Sequence, residues 1–180
     1  MASKSKKIKK LKRKLKDLRA QIDTGGNTPK VSPLAPKSGF PDIPEIDGVQ
    51  FASVAAGVRY SGRTDVMLTS LSPGTTIAGV FTKSATRAAP VLDCQEKIGQ
   101  SGTGGAAILV NSGNANAFTG ANGIDSVSAI TSMVARTLDI DETRVFTSST
   151  GVIGEPIDAS KFEGHIAKLV ETAKPDQWAA

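Results

Sequence analysis

Residues 146–156 read FTSSTGVIGEP, and the fold turns on how this stretch is read. Four hydroxyl residues, Thr147, Ser148, Ser149 and Thr150, meet Gly151 and Gly154 just ahead of Pro156. The pattern predicts a short apolar strand that breaks into a glycine turn and hands over to a helix. A turn of that kind presents N–H groups and a hydroxyl to developing negative charge.

Working outward, residues 106–110 (AAILV) form a continuous apolar run suited to a fully buried strand. It leads straight into the asparagine-rich loop 111–120 (NSGNANAFTG). A helix is predicted over about 124–138, where Ile124, Val127, Ile130, Met133, Val134 and Leu138 recur near helical spacing. Residues 139–144 make a turn, and Val145, Phe146 and Thr147 form the next strand. The result is a βαβα arrangement. If the two strands are parallel, loops 111–120 and 148–154 leave the same carboxyl edge and line one cleft. Antiparallel strands put them on opposite edges, and the sequence leaves both options open. After Pro156 a helix is capped by Asp158 or Ser160, with Ser160 and Glu163 spaced as a capping box. Its buried face is Phe162, Ile166, Leu169, Val170 and Ala173, and His165 lies beside that face as a surface histidine.

Upstream, β-forming residues cluster at 49–58, 66–71 and 76–82, separated by turn residues at 61–63 and 72–74. These read as strands of a meander or hairpin pair, with Gly57 and Gly79 marking bulges or close backbone approach. Arg59, Arg63 and Asp65 could face an anionic ligand, although a surface ion pair is the commoner outcome. Residues 88–97 read as a short helix or strand in which Cys94 is a small buried hydrophobe. Residues 101–105 form a glycine-rich flexible loop.

Three segments follow. Residues 1–22 form a basic amphipathic helical extension, with Ile8, Leu11, Leu15, Leu18 and Ile22 on one seam. Residues 23–44 are a Pro/Gly-rich linker and lead-in arm, and residues 45–180 are the α/β part. The 39% hydrophobic content supports one buried core in 180 residues. No apolar run approaches the ~18 residues that a transmembrane helix needs. The net charge of +5 belongs to the extension, where ten basic residues face one acid; the rest carries 12 basic and 16 acidic residues. Nucleic acid is therefore not expected as a partner of the body, while the extension alone could bind an anionic surface. A single cysteine excludes an intramolecular disulfide framework and fits a reducing, cytoplasmic setting. A single histidine excludes a histidine-cluster metal site within this span. No cofactor is implied.

Neither loop carries a Walker A or dinucleotide fingerprint, because no Gly-Lys-Ser/Thr closes either one and 151–154 lacks the triple-glycine spacing. Thr150 and Gly151 offer a hydroxyl and an N–H suited to oxyanion stabilisation in acyl transfer. On spacing alone, a purely structural Thr-Gly turn is the commoner reading. The chain shows no Ser-His-Asp set, Cys-His pair or nucleophile elbow.

The segments 31–37 (VSPLAPK), 55–60 (AAGVRY), 63–66 (RTDV), 79–82 (GVFT), 88–91 (AAPV), 110–120 (VNSGNANAFTG) and 149–156 (STGVIGEP) occur in order. Together they resemble the ornithine acetyltransferase family of arginine biosynthesis, also called bifunctional glutamate N-acetyltransferase/amino-acid acetyltransferase. The last two segments are the specific ones.

The resemblance implies an α/β fold with a mixed sheet and packed helices, in the architecture of self-cleaving N-terminal-threonine acyltransferases, of which this is the N-terminal part. A precursor would cleave before an internal threonine, giving α and β chains in an α2β2 heterotetramer. That threonine would carry acetyl from N2-acetyl-L-ornithine to L-glutamate by a ping-pong route, and acetyl-CoA serves some members. The family's oxyanion-hole pair falls on Thr150 and Gly151, and the asparagine loop is assigned a structural role. Residue 180 precedes the family's Thr-Thr-Asp segment, binding lysine and cleavage threonine. The chain therefore reads as an incomplete α chain, inactive alone, with substrate-contacting residues beyond it. Residues 1–22 are not part of the family pattern. The alternative readings are a self-processing amidohydrolase or aminopeptidase of related architecture, and a binding module tethered by the basic helix.

Overall fold

In the computed structural model, residues 43–102 and 104–177 are described, together with the isolated positions 14, 34 and 35. The helix expected at 1–22 and most of the arm at 23–44 lie outside the described residues. Ile43–Ala180 forms one compact unit.

Strands β1 (Val49–Val54) and β2 (Val66–Leu71) pair antiparallel, and β2 pairs antiparallel with β3 (Ala106–Asn114). Strand β4 (Val145–Val152) joins β3 in parallel, giving a mixed four-stranded sheet in sequence order. The βαβ crossover is helix α2 (Gly120–Leu138). Helix α1 (Ala89–Lys97) settles the ambiguity at 88–97 as helix, with Pro90 in its first turn, where a missing N–H leaves nothing unsatisfied. Helix α3 (His165–Thr172) follows a 3-10 turn at Ala159–Phe162.

Alternation along the strands sends Ala52, Leu68, Leu109 and Val145 to one sheet face. There they join Ile130 and Val134 of α2 and Phe162, Ile166 and Leu169 around α3 in a single core. Val170 and Ala173 pack at its margin, as the helical spacing predicts. The other face is less covered, and Met67 on it is 36% exposed.

Three expectations fail locally. Residues 76–82 form no strand, because the segment finds no pairing partner and Val80 stays 98% exposed despite its β propensity. Gly57 lies in the loop after β1 at φ +70 with open space around it, so it is neither a bulge nor a close approach. Gly79 is crowded, with the Phe81 ring 3.3 Å from where its Cβ would stand. The Ser160/Glu163 capping box does not form. Asp158 instead accepts the Ser160 N–H at 3.0 Å and its hydroxyl at 2.6 Å, and left-handed Gly164 starts α3 afresh.

Leu169 is fully buried in this core. Leu169→Ala is expected to lower the stability of the 180-residue chain by about 2–5 kcal/mol, read as a lower urea midpoint at unchanged slope.

Candidate active site

Since β3 and β4 run parallel, the segments that follow them leave one carboxyl edge, although residues 111–114 are the end of β3 rather than loop and only 115–119 connect it to α2. The 146–156 stretch is not a strand broken by a glycine turn, however. Strand β4 continues through Thr150 and Gly151 to Val152. The turn comes later, at Gly154 with φ +87.

Gly151 is where the two strands come closest. Its φ is +133, and a Cβ there would lie 2.3 Å from the Gly113 carbonyl carbon and 2.6 Å from the Asn114 nitrogen. Gly113 opposite has φ +103, and the register slips at Gly113/Asn114, so that Thr150 faces both Ser112 and Asn114. This is a β-bulge at the end of a parallel pair, and only glycine fits at position 151.

The outer edge of β4 divides into two halves. Lys97 of α1 donates to the Val145 carbonyl at 3.1 Å, and the Cys94 thiol donates to the Thr147 carbonyl at 3.3 Å. The Val152 carbonyl, by contrast, accepts from Ala115 on the β3 side at 2.9 Å. Alternation thus turns odd-numbered peptide groups of β4 outward and even-numbered ones toward β3. The first half of the edge is covered by α1; the second half, with the peptide groups of Ser149 and Gly151, is open. Thr150 and Gly151 are both exposed, and the Thr150 hydroxyl takes no partner among the described residues. Neighbouring residues thus offer a hydroxyl without a partner and, where the alternation holds, an N–H turned to the open edge.

The asparagine loop is held by its own side chains. Asn111 donates to the Asn114 carbonyl at 2.9 Å and accepts from the Ser149 hydroxyl at 2.6 Å. Asn114 donates to the Glu155 carbonyl at 3.0 Å and accepts the Asn116 N–H at 2.7 Å. Asn116, fully buried and left-handed, donates to the Gly123 carbonyl at 2.9 Å. These bonds join β3, α2 and the segment after β4, which is the structural role expected of them.

Arg59, Arg63 and Asp65 divide their roles. Arg59 pairs with Glu155 across the sheet end, and this ion pair raises the Arg59 pKa above its ordinary value. Arg63 stacks on the Tyr60 ring at 4.8 Å. Asp65 is 5% exposed and faces no open space; its carboxylate accepts the N–H groups of Ala56, Gly57 and Val58 at 2.7, 3.3 and 2.7 Å. Sequence reasoning missed this organising role. The signal was an Asp nine residues after an alanine-glycine turn, a spacing that a turn-closing carboxylate shares with a surface ion pair. Cys94 is buried as expected, and burial pushes its thiol pKa up. His165 sits half-buried at the first position of α3. Among the described residues no acidic, histidine and cysteine cluster could hold a metal, and no helix is long and apolar enough to cross a membrane.

The ArgJ family model matches residues 50–180. The chain belongs to the ArgJ family. It is 60% identical over 147 residues to the arginine biosynthesis bifunctional protein ArgJ of Ruegeria pomeroyi, covering 82% of this chain and 36% of that protein. It is 49% identical over 150 residues to the ArgJ protein of Bradyrhizobium diazoefficiens, covering 83% and 36%. The chain therefore spans a little over a third of the length of these curated relatives. Among solved structures, ornithine acetyltransferase of Mycobacterium tuberculosis complexed with ornithine superposes with a TM-score of 0.66 at 34% identity, covering 72% of this chain and 69% of that one. The ArgJ protein of Bacillus halodurans superposes with a TM-score of 0.62 at 33% identity, covering 72% and 65%. The α/β fold with a mixed sheet is thus that of ArgJ proteins, and the specific ArgJ-like segments 110–120 and 149–156 are the two that build the β3/β4 bulge.

Gly151→Ala is expected to destabilise the 180-residue chain by at least about 2 kcal/mol, since strain at positive φ adds to a clash with backbone. Gly113→Ala, whose Cβ would meet only the Arg59 side chain closely, at 3.1 Å, should cost less. Urea unfolding of both variants checks the order.

Proposed function

We propose that the complete protein transfers an acetyl group from N2-acetyl-L-ornithine to L-glutamate, and that Thr150 and Gly151 form the oxyanion hole of this reaction. The carrying observation is the pairing of a free Thr150 hydroxyl with an outward Gly151 N–H at an open strand edge, in a chain of the ArgJ family.

In the proposed mechanism, a nucleophilic threonine outside this chain attacks the acetyl carbonyl. Its C=O bond opens to a tetrahedral oxyanion, and ornithine leaves as the amine. The Thr150 O–H and Gly151 N–H donate to the oxyanion in both half-reactions; in the second, the glutamate amine attacks the acetyl-threonine ester, the ester C–O bond breaks and the threonine oxygen regains a proton from the amine. Donors fixed by the Gly113/Gly151 contact need no reorganisation as charge develops, which is the condition for a large effect on rate. Residues 45–180 would be the α-chain part of this enzyme, working with a β chain from the same precursor in an α2β2 assembly in the cytoplasm. Coverage supports two chains: 82% of this chain spans only 36% of the Ruegeria relative, whereas a shorter match, 72% of this chain, already spans 65–69% of single chains in the solved structures. Acetyl-CoA would be a second donor.

In the complete protein, Thr150→Ala should lower acetyl transfer by roughly 10²–10³-fold at unchanged fold. Near-normal turnover of N-acetylornithine and glutamate by that variant would refute the assignment.

A further inference from the structure

Asp65 occupies a junction that links three pieces of backbone. Its N–H donates to the Val54 carbonyl at the end of β1 at 3.1 Å, and its carbonyl accepts the Ser112 N–H of β3 at 2.8 Å. Its carboxylate gathers the three N–H groups of residues 56–58. The opposite side of the same loop is held by Lys161, which donates to the carbonyls of Gly57 and Val58 at 3.2 and 2.9 Å. Successive peptide groups of the loop are therefore fixed at both poles, N–H groups on a carboxylate and C=O groups on an ammonium. Charge-assisted bonds of this type are about twice as strong as neutral ones.

The loop held in this way leads directly into Arg59, which lies against Gly113: a Cβ on Gly113 would meet the Arg59 Cβ at 3.1 Å and its N at 3.7 Å. Gly113 in turn abuts Gly151, where the corresponding distance is 2.3 Å. Arg59 also reaches across to Glu155, beyond the end of β4. A continuous line of contacts therefore runs from the Asp65 carboxylate through loop 56–59 and Gly113 to the Gly151 peptide. The Ser112 bond adds a second, shorter route, because Ser112 is a register partner of Thr150.

We propose that Asp65 is a positioning residue for the Thr150/Gly151 pair, holding the β3 bulge so that the Gly151 N–H keeps its outward aim. This rests on the acetyl-transfer reading above. Asp65 touches no substrate; it sets where the donor points, and a displacement of an ångström at such a donor lowers the rate strongly.

The test is steady-state kinetics of the complete, processed protein carrying Asp65→Asn, with active sites counted by the acetyl-enzyme burst. The amide keeps the shape but turns an NH2 toward backbone donors. The expected result is kcat lowered by about ten- to a hundredfold per active site, with KM for N-acetylornithine and glutamate within about twofold. A merely structural Asp65 would lower the thermal midpoint and the number of active sites but leave kcat per site intact, and that outcome overturns the proposal. So does a rise in KM at normal kcat. Should Asp65→Asn fail to fold, Lys161→Gln decides in its place: a lower kcat at unchanged KM supports the proposal, and full kcat overturns it. Thr150→Ala in the same assay separates the two levels. If Thr150→Ala is impaired and the Asp65 and Lys161 variants are normal, only this inference falls; if Thr150→Ala is normal, the oxyanion reading falls with it.

Discussion

Two backbones meet at Gly113 and Gly151 more closely than side chains permit. Neighbouring strands ordinarily run about 4.8 Å apart, with Cβ atoms clear of the adjoining backbone. Here the Cβ of any other residue at 151 would sit inside the Gly113 carbonyl. That contact sets the bulge, doubles the register of Thr150, and ends the parallel ladder at Val152. Thr150 and Gly151 lie exposed at this end of the strand pair. The proposed oxyanion hole would thus belong to a sheet rather than to a loop, with its donors carried on a strand of the core.

The surroundings are consistent with that demand. Three buried asparagines replace the water that loop backbone would otherwise need, bonding in turn to the carbonyls of Asn114 in β3, Glu155 after β4 and Gly123 in α2. Asn116 and Phe118 both adopt positive φ, a conformation that costs a non-glycine residue about 1–2 kcal/mol. For Asn116 the cost is offset by its bonds to Asn114, Gly123 and Thr119. On the opposite side of Gly113, the loop fixed by Asp65 and Lys161 closes the back of the bulge. Polar groups that look like a ligand-facing cluster in the sequence are in fact mostly engaged in holding backbone.

Much of this was legible in the residues. The run 106–110 reads as a buried strand and is one, the spacing over about 124–138 reads as a helix that in the fold starts earlier, at Gly120, and segments 110–120 and 149–156 carried the family resemblance. What stayed hidden depended on partners far away in sequence. Residues 76–82 have strand composition but no neighbour to bond, so propensity misled there. The parallel sense of β3 and β4 is a tertiary fact, undetermined by either strand alone. Gly151 signals conformational freedom, which a turn and a close backbone approach require equally, and only the position of Gly113 tells them apart. Asp65 near two arginines reads foremost as a surface ion pair; its true partners are backbone N–H groups, which leave no mark on composition.

In the proposed reaction the Gly151 N–H and the Thr150 hydroxyl receive the oxyanion. The most direct measurement is the Gly151 amide proton resonance of the complete protein before and after a boronic acid forms a tetrahedral adduct on the nucleophile. A downfield shift and slower solvent exchange of that proton are expected, as a new charge-assisted bond requires. Formation of the adduct with the Gly151 resonance and exchange rate unchanged would contradict it.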